Sequence, residues 1–410
     1  MTKADKEGQR KAPILRFKGF TDDWEQRKLG NLFNERKERS TEGELLSVTL
    51  SNGVIKFSDL NKKDNSNIKS GNYKIVKRND IPYNSMRMWQ GASGVSSYDG
   101  IVSPAYTVLI PNKNSNSNFY AVLFKKKSIL NLFTRFSQGL TSDTWNLKYP
   151  ILKDINVPFT NLEEQKRIFK IFNVVNNLLA LYERKLKLLS QVKKYFLDSL
   201  FAEKEYPNLR FKGFTDAWEQ RQLGEIGTTY SGLSGKNKSD FEKGNSIFVT
   251  FLEVLNNPVL KNIDLTNKVE IKENERQNKV KRNDILFNTS SETPEEVATS
   301  TVVDVNQDNL YLNSFCFGFR PNVQFSNYYI GYYLRSNHFR NRVFCLAQGI
   351  SRYNISKKSL IKLKLSLPKL EEQDKISRIF NQIELLLTLY ENKQQYLTEI
   401  KNTLLNTMFI

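Results

Sequence analysis

The stretch Asn161-Leu162-Glu163-Glu164-Gln165-Lys166-Arg167-Ile168-Phe169-Lys170-Ile171-Phe172-Asn173 opens a run to Phe201 that contains neither Pro nor Gly. Apolar residues recur every seven positions at Ile168, Val175, Tyr182, Leu189 and Phe196. Ile171, Leu178 and Val192, with Phe172, Leu179, Leu186 and Leu200 beside them, widen the stripe to an a/d/e face. Heptad spacing keeps one face of a helix turned the same way along its whole length. Some forty residues at ~1.5 Å each make a rod about 60 Å long. Asn161 stands as N-cap, and Glu164 three residues later completes the pattern of a capping box.

The rod occurs twice. Adding 208 to each of those five heptad positions gives Ile376, Ile383, Tyr390, Leu397 and Leu404, all apolar. Leu162-Glu163-Glu164-Gln165 returns as Leu370-Glu371-Glu372-Gln373, and Ile171-Phe172-Asn173 returns as Ile379-Phe380-Asn381. Leu181-Tyr182-Glu183 returns as Leu389-Tyr390-Glu391, and even the polar intruder Lys185 has its copy in Lys393. A single amphipathic helix reads as a surface helix on a core; two register-matched copies read as partners.

The duplication extends outward. Arg16-Phe17-Lys18-Gly19-Phe20-Thr21-Asp22-Asp23-Trp24-Glu25-Gln26-Arg27 reappears as Arg210-Phe211-Lys212-Gly213-Phe214-Thr215-Asp216-Ala217-Trp218-Glu219-Gln220-Arg221. Val76-Lys77-Arg78-Asn79-Asp80-Ile81 reappears as Val280-Lys281-Arg282-Asn283-Asp284-Ile285. The chain is therefore a tandem repeat of lobe then rod. Its expected parts are a frayed tail over 1–12, a lobe over 13–160, a rod over 161–206, a second lobe over 207–368 and a second rod over 369–410. The 410 residues suit more than one domain.

Within the lobes, Leu45 to Leu50, Tyr73 to Val76 and Ile101 to Ile110 are β-branched or aromatic runs bounded by turn residues. Ile247 to Phe251, Ile285 to Phe287 and Tyr311 to Phe319 match them in the second half. Each lobe ends in a strand carrying Pro, at Pro158 and Pro368, just ahead of the rod. The lobes are expected to be α/β or mixed α+β.

The net charge is +19. Residues 16–160 hold 22 Lys and Arg against 13 Asp and Glu, and residues 207–368 hold 22 against 16. The rods are nearly balanced, so the lobes carry the positive charge and face a polyanion. Readout of base edges needs forked or amide donors, with Lys and hydroxyls on phosphates. In the first lobe the candidates are Lys77, Arg78, Asn84, Arg87, Trp89 and Gln90, with Thr141 and Ser142 from Gln138-Gly139-Leu140-Thr141-Ser142. In the second they are Arg282, Asn288, Ser290 and Ser291, with Arg352, Tyr353 and Asn354 from Gln348-Gly349-Ile350-Ser351-Arg352-Tyr353-Asn354. These loops hold corresponding places in the repeat yet differ from one another, as readers of two sequences would. Ordinary polar loops are the alternative.

Catalytic chemistry is missing from the sequence. His338 is the one histidine, and Cys316 and Cys345 form no CxxC. No Cys/His cluster has metal-ligand spacing. Gly232-Leu233-Ser234-Gly235-Lys236 has the wrong spacing for a phosphate loop. Glu164-Gln165-Lys166 is a carboxylate-x-Lys fragment better explained by the helix dipole. No signal segment and no run of 18 apolar residues is present, which leads us to expect a soluble, cytoplasmic protein.

The two Phe-Lys-Gly-Phe…Trp-Glu-Gln-Arg openings and the two Pro…Leu-Glu-Glu-Gln…Ile-Phe-Asn rod starts strongly resemble the specificity subunit of type I restriction-modification enzymes, over essentially the whole chain past the tail. One departure is Lys369, which replaces the capping Asn161 and leaves the second rod less well capped. The resemblance implies two target-recognition domains, each reading half of a bipartite site in double-stranded DNA. It implies two antiparallel coiled-coil helices that set the gap, with two methyltransferase subunits and the restriction/translocase subunits docked around them. S-adenosylmethionine and ATP with Mg would then belong to those partners, with no cofactor or metal on this chain. Antiparallel rods also follow from the short link after Phe201: a second rod can bury its stripe on the first only by running back, in a pseudo-two-fold particle. Phe172, Leu179, Leu186, Phe380 and Leu387 exceed a two-helix seam and are expected at the partner interface. The rival classes are a non-specific nucleic-acid-binding scaffold and a self-contained nuclease or methylase.

Overall fold

A computed structural model of the chain describes residues 12–60, 72–349 and 352–410. The expected tail, apart from Ala12, lies outside the described residues, as do Ile350 and Ser351.

The first lobe runs β1 (Glu25–Lys28), β2 (Phe33–Glu35), β3 (Arg39–Ser40), β4 (Leu46–Thr49), β5 (Gly53–Lys56), β6 (Tyr73–Val76), β7 (Ile81–Asn84), β8 (Gly100–Val102), β9 (Tyr106–Pro111), α1 (Ser117–Leu123), α2 (Lys127–Phe136), α3 (Tyr149–Leu152) and β10 (Asn156–Phe159). Helix α4 (Leu162–Ser199) follows. The second lobe runs β11 (Glu219–Gln222), β12 (Gly227–Ser231), β13 (Phe241–Val249), α5 (Phe251–Asn256), β14 (Val259–Leu260), β15 (Lys268–Val269), β16 (Ile285–Asn288), β17 (Ser290–Ser291), β18 (Ser300–Val303), β19 (Leu310–Leu312), β20 (Cys316–Pro321), α6 (Asn327–Tyr333), α7 (Asn337–Phe344), β21 (Tyr353–Asn354), α8 (Lys357–Leu360) and β22 (Lys364–Leu367), then α9 (Leu370–Thr407).

Both lobes are mixed α+β with small sheets. The first has the orders β2-β9-β7 and β3-β6-β8, with β4-β5 as a hairpin. The second has a five-stranded sheet β12-β20-β16-β18-β14 and a three-stranded sheet β15-β13-β19. The repeat is plainest where the lobe closes. Antiparallel β1 and β10 pair from Glu25↔Phe159 to Lys28↔Asn156, and β11 and β22 pair from Glu219↔Leu367 to Gln222↔Lys364.

Helices α4 and α9 each span 38 residues, uninterrupted. The chain divides into two compact units, one ending at Glu183 and taking in Asn392–Ile410, the other Arg184–Glu391. Each unit thus holds one lobe and half of each helix, so the compact bodies cut across the chain-order parts. Within each unit the two helix halves run antiparallel. In the first, Lys393 Nζ lies 5.7 Å from the Tyr182 ring. In the second, Lys185 Nζ lies 5.1 Å from the Tyr390 ring, and Lys193 pairs with Glu384 at 2.6 Å. The shared polar intruder is explained: each lysine lies over the other helix's tyrosine, cation on ring face.

The helix ends complete the lobe cores. Phe409 lies 5.2 Å from Phe119, 5.7 Å from Phe172 and 6.3 Å from Trp24. Its counterpart Phe201 lies 5.5 Å from Tyr329, 5.7 Å from Tyr333 and 5.5 Å, stacked, from Phe380. Phe172 and Phe380 are therefore wholly buried core residues and not the partner surface expected of them. They lie under the lobes because each helix begins as part of its own lobe. Leu179, Leu186 and Leu387 are half-buried, whereas Leu178, expected in the seam, is exposed.

The duplicated words act as latches. Asn161 caps α4, its side chain accepting from Glu164 N at 2.9 Å. The Glu164 carboxylate does not reciprocate as in a capping box. It is buried and accepts Arg16 Nε at 2.7 Å, Arg16 Nη2 at 2.9 Å and Trp24 Nε1 at 3.1 Å, with the Thr160 hydroxyl also donating to it. Four donors on one carboxylate offset its desolvation. Glu372 takes Arg210 in the same fork at 2.8 and 2.9 Å. Gln165 binds Asn116 N at 2.8 Å, and Gln373 binds Ser326 N at 3.1 Å, so the helix start also grips the segment leading into α1 or α6. Glu164-Gln165-Lys166 is thus a structural element. His338, whose ring meets the Asp198 carbonyl at 3.1 Å, is structural too.

Candidate nucleic-acid interface

In the first lobe the interface is built from the Lys77-Arg78-Asn79-Asp80 turn upward. Asn79 takes the left-handed φ of 70° that the turn needs, and Asn283 repeats it at 69°. The Asp80 carboxylate accepts Lys77 N at 2.8 Å and Arg36 Nε at 2.7 Å. Asp284 likewise accepts Lys281 N at 2.8 Å and Arg320 Nη2 at 2.6 Å. With the aspartate turned inward, Lys77 and Arg78 are left exposed.

Strand β7 leads from this turn to the next loop. Asn84 Oδ1 accepts Met86 N at 3.0 Å, an Asx turn that throws Arg87 into solvent. Arg87 Nη1 reaches Gln90 Oε1 at 3.5 Å, and Trp89 Nε1 donates to Met86 O at 3.1 Å. The segment 138–146 then joins this loop. Leu147 N donates to Ser85 O at 2.8 Å, and Trp89 meets Trp145 edge-to-face at 5.2 Å. Thr141 and Ser142 are exposed. Asn84, Arg87, Trp89 and Gln90 are thus brought to the loop that carries Thr141 and Ser142. Lys77 and Arg78 are not, because they lie before β7, whereas Asn84 ends that strand and the others follow it.

The second lobe uses the same frame differently. Ile355 N donates to Thr289 O at 3.0 Å, and β17 pairs with β21 through Ser290↔Asn354 and Ser291↔Tyr353. That pairing buries Ser290 and Ser291, and Ser291 Oγ donates to Glu296 Oε2 at 2.6 Å. Asn288 is wholly buried, its amide donating to Glu296 O at 2.9 Å. Asn288, Ser290 and Ser291 therefore do not face a ligand, contrary to expectation; a two-stranded ladder replaces the first lobe's open loop. Arg282 is held by Asp304 at 2.8 Å and precedes β16, away from β21. Arg352 and Asn354 remain exposed and Tyr353 half-buried. The Arg352 guanidinium lies 5.8 Å over Phe315, which is itself 57 % exposed. Phe315 was missed because it reads in sequence as part of a core strand.

Buried cations hold the loops. Lys125 donates to Gly91 O behind the Trp89 loop, and burial, with the charge of Lys401, brings it down to about 8. Burial also lowers Arg335 and Arg340 to about 10. Arg335 spans Ser300 O, Val254 O and Asn257 O at 2.8 to 2.9 Å, and Arg340 binds Glu295 O and Val297 O at 2.5 to 2.6 Å. Among the described residues no group of three His, Cys, Asp or Glu is placed to hold a metal.

A family model, the type I restriction modification DNA specificity domain, matches residues 21–191 and 215–399, one segment for each copy of the repeat. The chain is 24% identical over 319 residues to a Methanocaldococcus jannaschii protein assigned as the type I restriction enzyme MjaX specificity subunit, across 73% of this chain and 69% of that one. It is 22% identical over 353 residues to the MjaVIII specificity subunit of the same organism, across 82% of this chain and 79% of that one. Its fold is similar to that of the type I restriction-modification S subunit from M. genitalium, with a TM-score of 0.58 at 17% identity, covering 97% of this chain and 99% of that one.

Proposed function

This chain belongs to the type I restriction-modification DNA specificity domain family, and from that premise we propose how its parts divide the work. The chain is the sequence reader of a type I complex and leaves catalysis to other subunits. Each lobe reads one half of a bipartite target in double-stranded DNA. The observation that carries this is a repeated frame bearing different side chains: exposed Arg87 with half-buried Trp89 and Gln90 on one lobe, exposed Arg352 and Phe315 on the other. Arginine and the amides Asn84, Gln90 and Asn354 suit base edges, while Lys77, Arg78, Thr141 and Ser142 suit phosphates.

The helices offer a second surface. In the first unit Val174, Leu178 and Leu181 are exposed on α4, and in the second Leu385, Leu386 and Leu389 are exposed on α9. Leu178 and Leu386, and Leu181 and Leu389, are the same positions of the repeat. Apolar positions exposed twice in this way suit two copies of one partner, the methyltransferase subunit. Leu179, Leu186 and Leu387 border this face. The restriction/translocase subunits complete the assembly, S-adenosylmethionine and ATP with Mg reside on the partners, and the complex works on DNA in the cytoplasm. Among the described residues no helix is long and apolar enough to cross a membrane. The continuous helices fix the number of unread base pairs between half-sites.

The test is to sequence methylated bases in cells with and without this chain. One bipartite motif should vanish with its loss. An unchanged set of methylated motifs would refute the proposal.

A further inference from the structure

Leu140 is 101 % exposed, at the tip of a loop in a lobe dominated by basic residues. Single exposed leucines are ordinary. Three features separate this one from the rest. First, the tip is stiff. Gln138 and Asn146 exchange backbone hydrogen bonds of 3.0 and 2.8 Å across the loop base. Thr141 and Thr144 lock the turn, with Thr144 N on Thr141 O at 2.9 Å and Thr141 N on Thr144 Oγ1 at 3.1 Å. Gly139 holds a φ of 145°, and a Cβ there would lie 2.6 Å from Thr144 O. Second, the loop is tied through Trp145 and Trp89 to the one bearing Arg87 and Gln90. Third, the word recurs: Gln138-Gly139-Leu140-Thr141 matches Gln348-Gly349-Ile350-Ser351 in sequence, and Gly349 takes a φ of 137°.

The two sets of reading loops otherwise differ. What they share serves something common to both half-sites, whatever their sequence. Leucine and isoleucine have no donor or acceptor, so neither reads a hydrogen-bonding edge. An event common to both half-sites is extrusion of the base to be methylated, which must break its stacking on both neighbours. Apolar side chains on firm supports are what proteins insert between base steps to offset such distortion. Resting on the reading of the chain as the specificity subunit, we infer that Leu140 is a wedge that enters the duplex at the first lobe's half-site and stabilises it while the partner methyltransferase extrudes its base.

The test uses the chain assembled with its methyltransferase subunits. The duplex carries the motif found by methylation sequencing, with 2-aminopurine in place of the target adenine in one half-site at a time. The first lobe's half-site is the one whose recognition changes in Arg87→Ala. For Leu140→Ala we expect the 2-aminopurine brightening to be lost there and, on the duplex that keeps adenine in that half-site, methylation to fall about tenfold or more, the unstacking cost no longer being offset. Affinity, thermal stability and methylation of the other half-site should stay near wild type, and Leu140→Met should restore most of the activity. Unchanged methylation by Leu140→Ala overturns the wedge. So does loss of the methyltransferase subunits on purification, which would make Leu140 a protein contact. Weaker binding with normal brightening in each bound complex also overturns it, as a thymine-methyl contact would give that result. A wild-type complex that methylates no bipartite motif overturns the specificity reading itself, whereas a normal wild type with an unaffected variant overturns the wedge alone.

Discussion

Phe409→Ala should open the first lobe and leave the second closed. Phe409 is 2 % exposed and lies against Phe119, Phe172 and Trp24 at ring distances of 5.2 to 6.3 Å. Removing a buried phenylalanine costs about 3–5 kcal/mol, transfer and cavity terms together. At about 1.4 kcal/mol per factor of ten, the opening constant of that unit rises roughly a hundred- to several thousand-fold. Hydrogen exchange followed by mass spectrometry reads this directly, since protection tracks the local opening free energy. Peptides covering β7, β9 and α1 should lose that factor, while β16, β20 and α6 keep their protection. Phe201→Ala, which removes the ring beside Tyr329, Tyr333 and Phe380, should give the converse pattern. Deleting residues 408–410 should exceed the point change, because Lys126 Nζ also holds Phe409 O at 2.8 Å and Ile410 O at 2.9 Å. Equal loss of protection in both units, or a loss below about tenfold in the expected one, would refute closure of each lobe by a helix end.

Four further outcomes are expected. Leu178→Glu with Leu181→Glu should stop methyltransferase subunits from co-purifying while thermal unfolding of the chain stays unchanged; retained stoichiometric assembly would count against the docking face. Arg87→Ala should relax preference at one half-site and Arg352→Ala at the other, by about 1–3 kcal/mol per lost bidentate contact, read by selection on randomised half-sites. A four-residue insertion near Lys185 adds about one helical turn, ~6 Å, which at ~3.4 Å per base pair should lengthen the preferred gap by about one or two base pairs in a variable-gap selection. Lys125, brought down to about 8 by burial, stays neutral in the folded chain at pH values where the unfolded chain's lysine, at its ordinary 10.5, still binds a proton. Stability therefore rises with pH between those values, and relative to Lys125→Met the wild type should gain up to ~2 kcal/mol from pH 7.5 to 9.5 in urea unfolding, with a flat difference refuting the assignment.

The sequence by itself determined the repeat, the two long helices and the basic lobes, because periodicity, duplicated words and charge are local properties of the chain. It placed β6 and β16 well and put Asn161 at the helix cap, since each follows from neighbouring residues. It could not distinguish one apolar helix position from another by what covers it. Phe172 and Leu178 share one stripe in sequence, yet the lobe closes over Phe172 and leaves Leu178 37 % exposed. Nor could it show that Glu164 turns from its own cap to Arg16, 148 residues away, because a buried carboxylate takes whichever donors the fold brings to it. Asn288, Ser290 and Ser291 failed as readers because strand pairing turns them inward: Asn288 pairs with Cys316, and Ser290 and Ser291 pair with Asn354 and Tyr353, over sixty positions later. Only tertiary structure decides which groups of a polar loop are consumed by the fold and which are left for DNA.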